Sequence, residues 1–135
     1  MDAITTQHQA TEAWLRGFAQ AVRDRDYASA RGMCRDDVNG FGTVSPRYEG
    51  IDELHHGQWR HVWDRTEGFE FDLDTATIWV DESFVVATCE WSSIGIDDDG
   101  SRRPRRGRAT IVLARRSDEL QAVHTHFSMM PGYVA

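Results

Sequence analysis

Lysine is missing from this sequence. All 15 basic residues are arginine, set against 22 aspartates and glutamates. Without a lysine amine there is no Schiff-base chemistry and no lysine general base. Long apolar runs are missing as well. None approaches the roughly 20 residues that span a bilayer. The N-terminal stretch MDAITTQHQATEAW lacks the basic start and apolar core of a secretory signal, so a cytoplasmic location is expected. Cysteine is scarce: Cys34 and Cys89 stand alone, with no C-x₂-C pair to build a zinc site. Both are expected as buried thiols. A formal net charge of -7 speaks against a nucleic-acid partner, which demands a basic surface. The local exception, RRPRRGR from Arg102 to Arg108, follows DDDG directly and reads as a solvated hairpin tip.

What remains has the composition of one globular domain, 40% hydrophobic and 27% charged. No repeat or linker interrupts residues 1–135. Ala10, Ala13, Trp14, Phe18, Ala21 and Val22 recur at helical spacing and predict a first helix from Thr5 to Arg25. A short second helix, Tyr27 to Cys34, follows an Arg-Asp turn. Val38 to Val44 reads as a strand whose glycines suggest a bulge or a close approach. SPRYEG, Ser45 to Gly50, is a turn. Leu54, Trp59, Val62 and Trp63 give a third helix, Ile51 to Arg65, its apolar face. The remainder predicts four strands: Phe69 to Val80, Phe84 to Ile96, Arg108 to Arg116 and Leu120 to Ser128. Helices first and a strand meander afterwards is an α+β plan.

This order of elements resembles the nuclear transport factor 2-like superfamily, and within it the SnoaL-like subgroup and the hub domain of calcium/calmodulin-dependent protein kinase. RDRDYASARGMCRDDV is similar to that superfamily's passage from the first helix through the second to the first strand. LHHGQWRHVW, the DES turn with its following apolar strand, and HTHFS near the C-terminus are the other matching pieces. The resemblance implies a cone: three N-terminal helices packed on a strongly curved antiparallel sheet, with a pocket between them and a homodimer through the sheet's outer surface. It covers nearly the whole chain, and it implies fold more strongly than chemistry.

Carried over residue by residue, the hub domain's pocket histidine falls on His55. Its three pocket arginines fall on Glu90, Ile111 and Phe127, so none is retained. The ketosteroid isomerase base falls near Phe41 and its oxyanion-hole tyrosine near Phe18, so the enolate chemistry of that enzyme is not expected. With Phe127 and Glu90 facing inward, strand alternation brings in Val123, Thr125, Thr88, Ser92, Ala109, Ile111 and Leu113. Trp14, Phe18, Phe41, Thr43 and Trp59 complete the expected wall. Such a lining suits a small hydrophobic ligand. His55 and Glu90 are the candidate acid–base pair for a cofactor-independent cyclase, isomerase, dehydratase or hydrolase. The alternative is a binding or dimerisation domain without catalysis. No metal or cofactor is expected: H-x-H at His124 and His126 is too few ligands. The same alternation turns both histidines, with Trp91 and Val112, to the outer face and the partner subunit.

Overall fold

The computed structural model describes residues 3–117 and 119–134. Its elements are α1 (Ala3–Asp24), α2 (Tyr27–Gly32), β1 (Cys34–Phe41), β2 (Tyr48–Glu49), a helical stretch α3 over residues 51–63, β3 (Thr66–Val80), β4 (Phe84–Ile96), β5 (Arg102–Arg116) and β6 (Glu119–Met129). This is an α+β fold with a long N-terminal helix and one open six-stranded sheet, in the order β2-β1-β6-β5-β4-β3. No helix among the described residues is long and apolar enough to cross a membrane.

The helix α1 forms because its apolar residues fall on one stripe: Trp14, Leu15, Phe18, Ala19 and Val22 are buried, with Thr11 beside them giving its hydroxyl proton to the Gln7 carbonyl at 2.7 Å, while Ala13, expected on that stripe, is exposed. Trp14 and Phe18, one turn apart, stack at 5.0 Å. The helix stops where Arg25 adopts a left-handed φ of 53°. Asp26 then caps α2, its carboxylate accepting from the Ser29 N–H at 3.1 Å. α2 ends early because Met33 is claimed from two sides. Its carbonyl accepts from the Trp14 indole at 3.1 Å and from the Ala122 N–H at 2.9 Å.

Several sequence-based expectations are corrected here. Cys34 belongs to β1, where it pairs with Ala122, and not to a helix. β1 runs parallel to β6, so the sheet is mixed and not purely antiparallel. The turn expected at residues 45–50 contains a short strand, Tyr48–Glu49, which pairs with Asn39 and Gly40. The third helix has a π-helical middle, Leu54–Trp59, flanked by Ile51–Glu53 and Arg60–Trp63. Its wider winding buries Leu54, Gln58 and Trp59 together. Most consequentially, the arginine-rich run is not a hairpin tip. β5 begins at Arg102, because β4 continues to Ile96 and pairs with it residue for residue.

Register fixes the faces. Cross-strand partners in a sheet share a face. Ile111 and Leu113 are fully buried, each contributing about 1.5–3 kcal/mol, and they pair with Ala87 and Val85. Alternation from there makes Val85, Ala87, Cys89, Trp91 and Ser93 the inner residues of β4. On β5 the inner residues are Arg105, Gly107, Ala109, Ile111 and Leu113. Thr88, Glu90 and Ser92 therefore face outward and Trp91 inward, the reverse of the expected assignment. On β6 a register shift between Val112 and Leu113 leaves Val123 without a paired position. Ala122, with Thr125, is the buried residue there.

Candidate functional site

Between α1, α3 and the inner sheet face lies a narrow cavity of about 50 Å³. Its walls are mainly aromatic: Phe18 from α1, Trp59 and Trp63 from α3, Phe69 from β3, Trp91 from β4 and Phe127 from β6. Phe18 is the hub of this cluster, edge-on to Trp59 at 5.8 Å and Trp63 at 5.9 Å and stacked towards Phe127 at 6.5 Å. Ring pairs in these arrangements add about 0.5–1.5 kcal/mol each beyond the area they bury.

Six polar side chains also line the cavity: Thr43, Gln58, Thr66, Ser93, Arg105 and Thr125. Five of them are buried, Thr43 being the exception. Gln58 accepts from the Tyr48 hydroxyl at 3.1 Å. Thr66 gives its hydroxyl proton to the Val62 carbonyl at 2.6 Å and accepts from Arg105 Nη1 at 3.2 Å. The Arg105 guanidinium sits over Trp91, with Cζ 5.7 Å from the ring centroid. Burial first, and Arg103 second, lower its pKa from the ordinary arginine value, but a guanidinium remains charged at any physiological pH. Two cavity-side atoms have no hydrogen-bond partner, Arg105 Nε and Ser93 Oγ. Small residues make this packing possible. A Cβ on Gly95 would come within 2.6 Å of Arg105 Cδ, and one on Gly107 would strike the Trp91 ring.

Of the expected wall residues, Phe18, Thr43, Trp59, Thr125 and Phe127 line the cavity. Phe41 lines it as well, and the Phe41 ring also lies against His124 at 4.8 Å and His126 at 5.3 Å. The others stand elsewhere. Trp14 is buried behind Phe18, its indole committed to Met33. Ile111 is sealed in the core. Ser92 faces outward beside Glu90 and Arg106.

The expected acid–base pair does not assemble. Glu90 is on the outer sheet face in an ion pair with Arg106 at 3.0 Å. His55 lies between Tyr27 at 4.8 Å and His56 at 4.4 Å, outside the cavity lining. Its Nδ1 is 2.9 Å from Arg31 Nη1. Arginine has only donors, so Nδ1 accepts and the imidazole is neutral. Its pKa is lowered, by burial first and then by His56 and Arg31. Neither cysteine offers a nucleophile: both are buried, and burial pushes each thiol up to about 12. His124 stands outside the cavity lining and pairs through Nδ1 with Asn39 Oδ1 at 2.7 Å. Among the described residues no three His, Cys, Asp or Glu side chains are grouped to hold a metal ion.

Sequence reasoning missed Gln58, Thr66, Phe69, Trp91, Ser93 and Arg105. A signal for Arg105 existed: it is six residues, an even number, from Ile111, and so on the same strand face. Reading residues 97–107 as loop hid it.

An open α+β sheet faced by a long N-terminal helix is the architecture of the nuclear transport factor 2-like proteins. The SnoaL-like domain family matches residues 11–132, and the chain belongs to that family. Solved structures agree on the fold. A dehydratase-like protein of the nuclear transport factor 2-like family from Streptomyces avermitilis superimposes with a TM-score of 0.79 at 18% identity, over 95% of this chain and 99% of that one. A ketosteroid isomerase-like protein from Erwinia carotovora atroseptica gives 0.76 at 15%, over 90% and 95%. A chain described as a calcium/calmodulin-dependent protein kinase II association domain, from Xanthomonas campestris, gives 0.70 at 15%, over 90% and 84%. No curated protein matches the sequence.

Proposed function

We propose that this SnoaL-like domain binds a small, largely apolar molecule in the cavity under α1 and α3. The observation that carries the proposal is the convergence of buried polar groups, Gln58, Thr66, Ser93, Arg105 and Thr125, on a space otherwise walled by aromatic rings. An apolar wall with a few placed polar groups is the usual makeup of a ligand site. At roughly 10–15 Å³ for each water, the volume holds a handful of heavy atoms. That favours a single ring or a short branched chain over a polycycle. Binding is favoured over proton-transfer catalysis, because the lining has no carboxylate, imidazole, thiol or phenol and a general base must reach its proton.

Three of the chain's five tryptophans line the cavity, so occupancy changes their emission. A panel of one-ring compounds at millimolar concentration is expected to quench fluorescence and raise Tm. Thr125→Leu, which fills the space, is expected to abolish both responses. Equal responses from wild type and Thr125→Leu overturn the proposal.

We further propose a homodimer through the outer sheet face, supported by one row of residues. Trp79, Val86, Val112 and His124 pair consecutively across β3, β4, β5 and β6, and Trp79 is 56% exposed. Trp79, and not Trp91, is the tryptophan that a partner would cover.

A further inference from the structure

We propose that the ligand carries a carboxylate, and that Arg105 with Ser93 receives it. This rests on the cavity being a ligand site. Arg105 is only 7% exposed, yet no acidic side chain pairs with it among the described residues. Its strand neighbours differ: Arg102 pairs with Glu67, Arg103 with Asp97 and Arg106 with Glu90. Of the five donors a guanidinium carries, one is used, by Thr66. Ser93, directly across the sheet on β4, is also buried, and its hydroxyl is without a partner.

Burying a charge without a counter-charge is costly, and the cost is removed when an anion arrives. The face of Trp91 and the Thr66 hydroxyl offset only part of it. With Nη1 held by Thr66, the rest of the guanidinium fork remains for a planar oxyanion, which arginine binds through parallel N–H···O bonds. Ser93 can donate to the same oxygen pair. The aromatic walls beyond take the apolar body.

Benzoate and benzamide share shape and differ in charge, so they separate the two proposals. Isothermal titration calorimetry of the full chain at 50 mM and 200 mM salt is expected to give benzoate at least a tenfold advantage over benzamide. Arg105→Met is expected to reduce that ratio to about one, and Ser93→Ala to weaken benzoate several-fold while leaving benzamide unchanged. Equal binding of both probes to the wild type refutes the carboxylate proposal and leaves the binding proposal standing. Failure of both probes to bind refutes the two together. If Arg105→Met does not fold, as circular dichroism would reveal, the wild-type ratio and Ser93→Ala still decide.

Discussion

Replacing Gly107 by alanine tests the packing on which the cavity depends. Gly107 sits on β5 between Trp91 of β4 and Met129 of β6. An added Cβ would meet the Ser128 carbonyl oxygen on one side and the indole of Trp91 on the other, both well inside van der Waals contact. Neither obstacle moves freely. The carbonyl is backbone in the β5–β6 ladder. The indole is tied by its N–H to the Arg108 carbonyl at 3.2 Å and packs on Phe69 at 5.7 Å. Overpacking of this kind costs about 1–3 kcal/mol, and backbone involvement places it in the upper part of that range. Reduced chain entropy in the unfolded state returns about 0.4–1 kcal/mol, for a net loss of about 2 kcal/mol. A chain of 135 residues unfolds with an entropy of about 0.28 kcal/mol/K, so Tm falls by roughly 7 °C. Gly32→Ala is the control. It sits at the end of α2 with open space around its would-be Cβ and is expected to raise Tm by roughly 1–3 °C. The assay is differential scanning calorimetry, with near-ultraviolet circular dichroism to follow the tryptophan. A Gly107→Ala variant as stable as the wild type means that the indole of Trp91 does not cover Gly107, and the wall described above collapses with it.

Glu90→Gln is expected to leave ligand binding unchanged and stability within about 1 kcal/mol, because its partner Arg106 is half-exposed; a loss of binding by calorimetry would return Glu90 to the site. Acidification should destabilise the fold. His55 and His124 have folded pKa values below the ordinary 6.5, so the unfolded chain takes up protons first. The stability each provides is complete above 6.5 and drains away as pH drops below it, towards the lowered folded values. A urea midpoint that stays flat from pH 7.5 to 5 in the wild type, or that slopes as steeply in a His55→Gln, His124→Asn double variant, contradicts this. Trp79→Glu is expected to convert a dimer into a monomer in light scattering at micromolar concentration; a wild type that is monomeric there removes the outer-face dimer altogether.

How far the sequence carried is visible strand by strand. α1 was legible because Trp14, Phe18, Ala21 and Val22, all buried, repeat at helical spacing, and β4 was placed within its true bounds because the DES turn and the following apolar run mark its start. Its facing was not. Fully alternating strands such as TCEWSS have polar and apolar residues at every second place, and a polar residue with aromatic neighbours reads equally well from either side. The resemblance put Glu90 and Ile111 inside together, and these two choices are incompatible once the register is known, since Ile111 pairs with Ala87. One cross-strand pair would have settled it. Sequence alone carries no pairing information when the intervening loop is misjudged by six residues, as it was when Arg102 to Gly107 read as loop and not as strand.

The same misjudged loop concealed the residue on which the chemistry turns. A run of five arginines around one proline and one glycine has every local mark of a solvated tip, and four of those arginines behave so: Arg102, Arg103, Arg106 and Arg108 keep solvent contact, three of them in ion pairs. Pro104 is tolerated within β5 because β6 ends opposite Gly107, leaving that edge of the strand free where the missing N–H would fall. Extension of β5 past the end of β6 then places Arg105 on the inner face, under Ser93 and against Trp91. Charge composition treats the five arginines as alike; alternation separates one from the other four, and it is that one whose charge is buried with no acidic partner among the described residues.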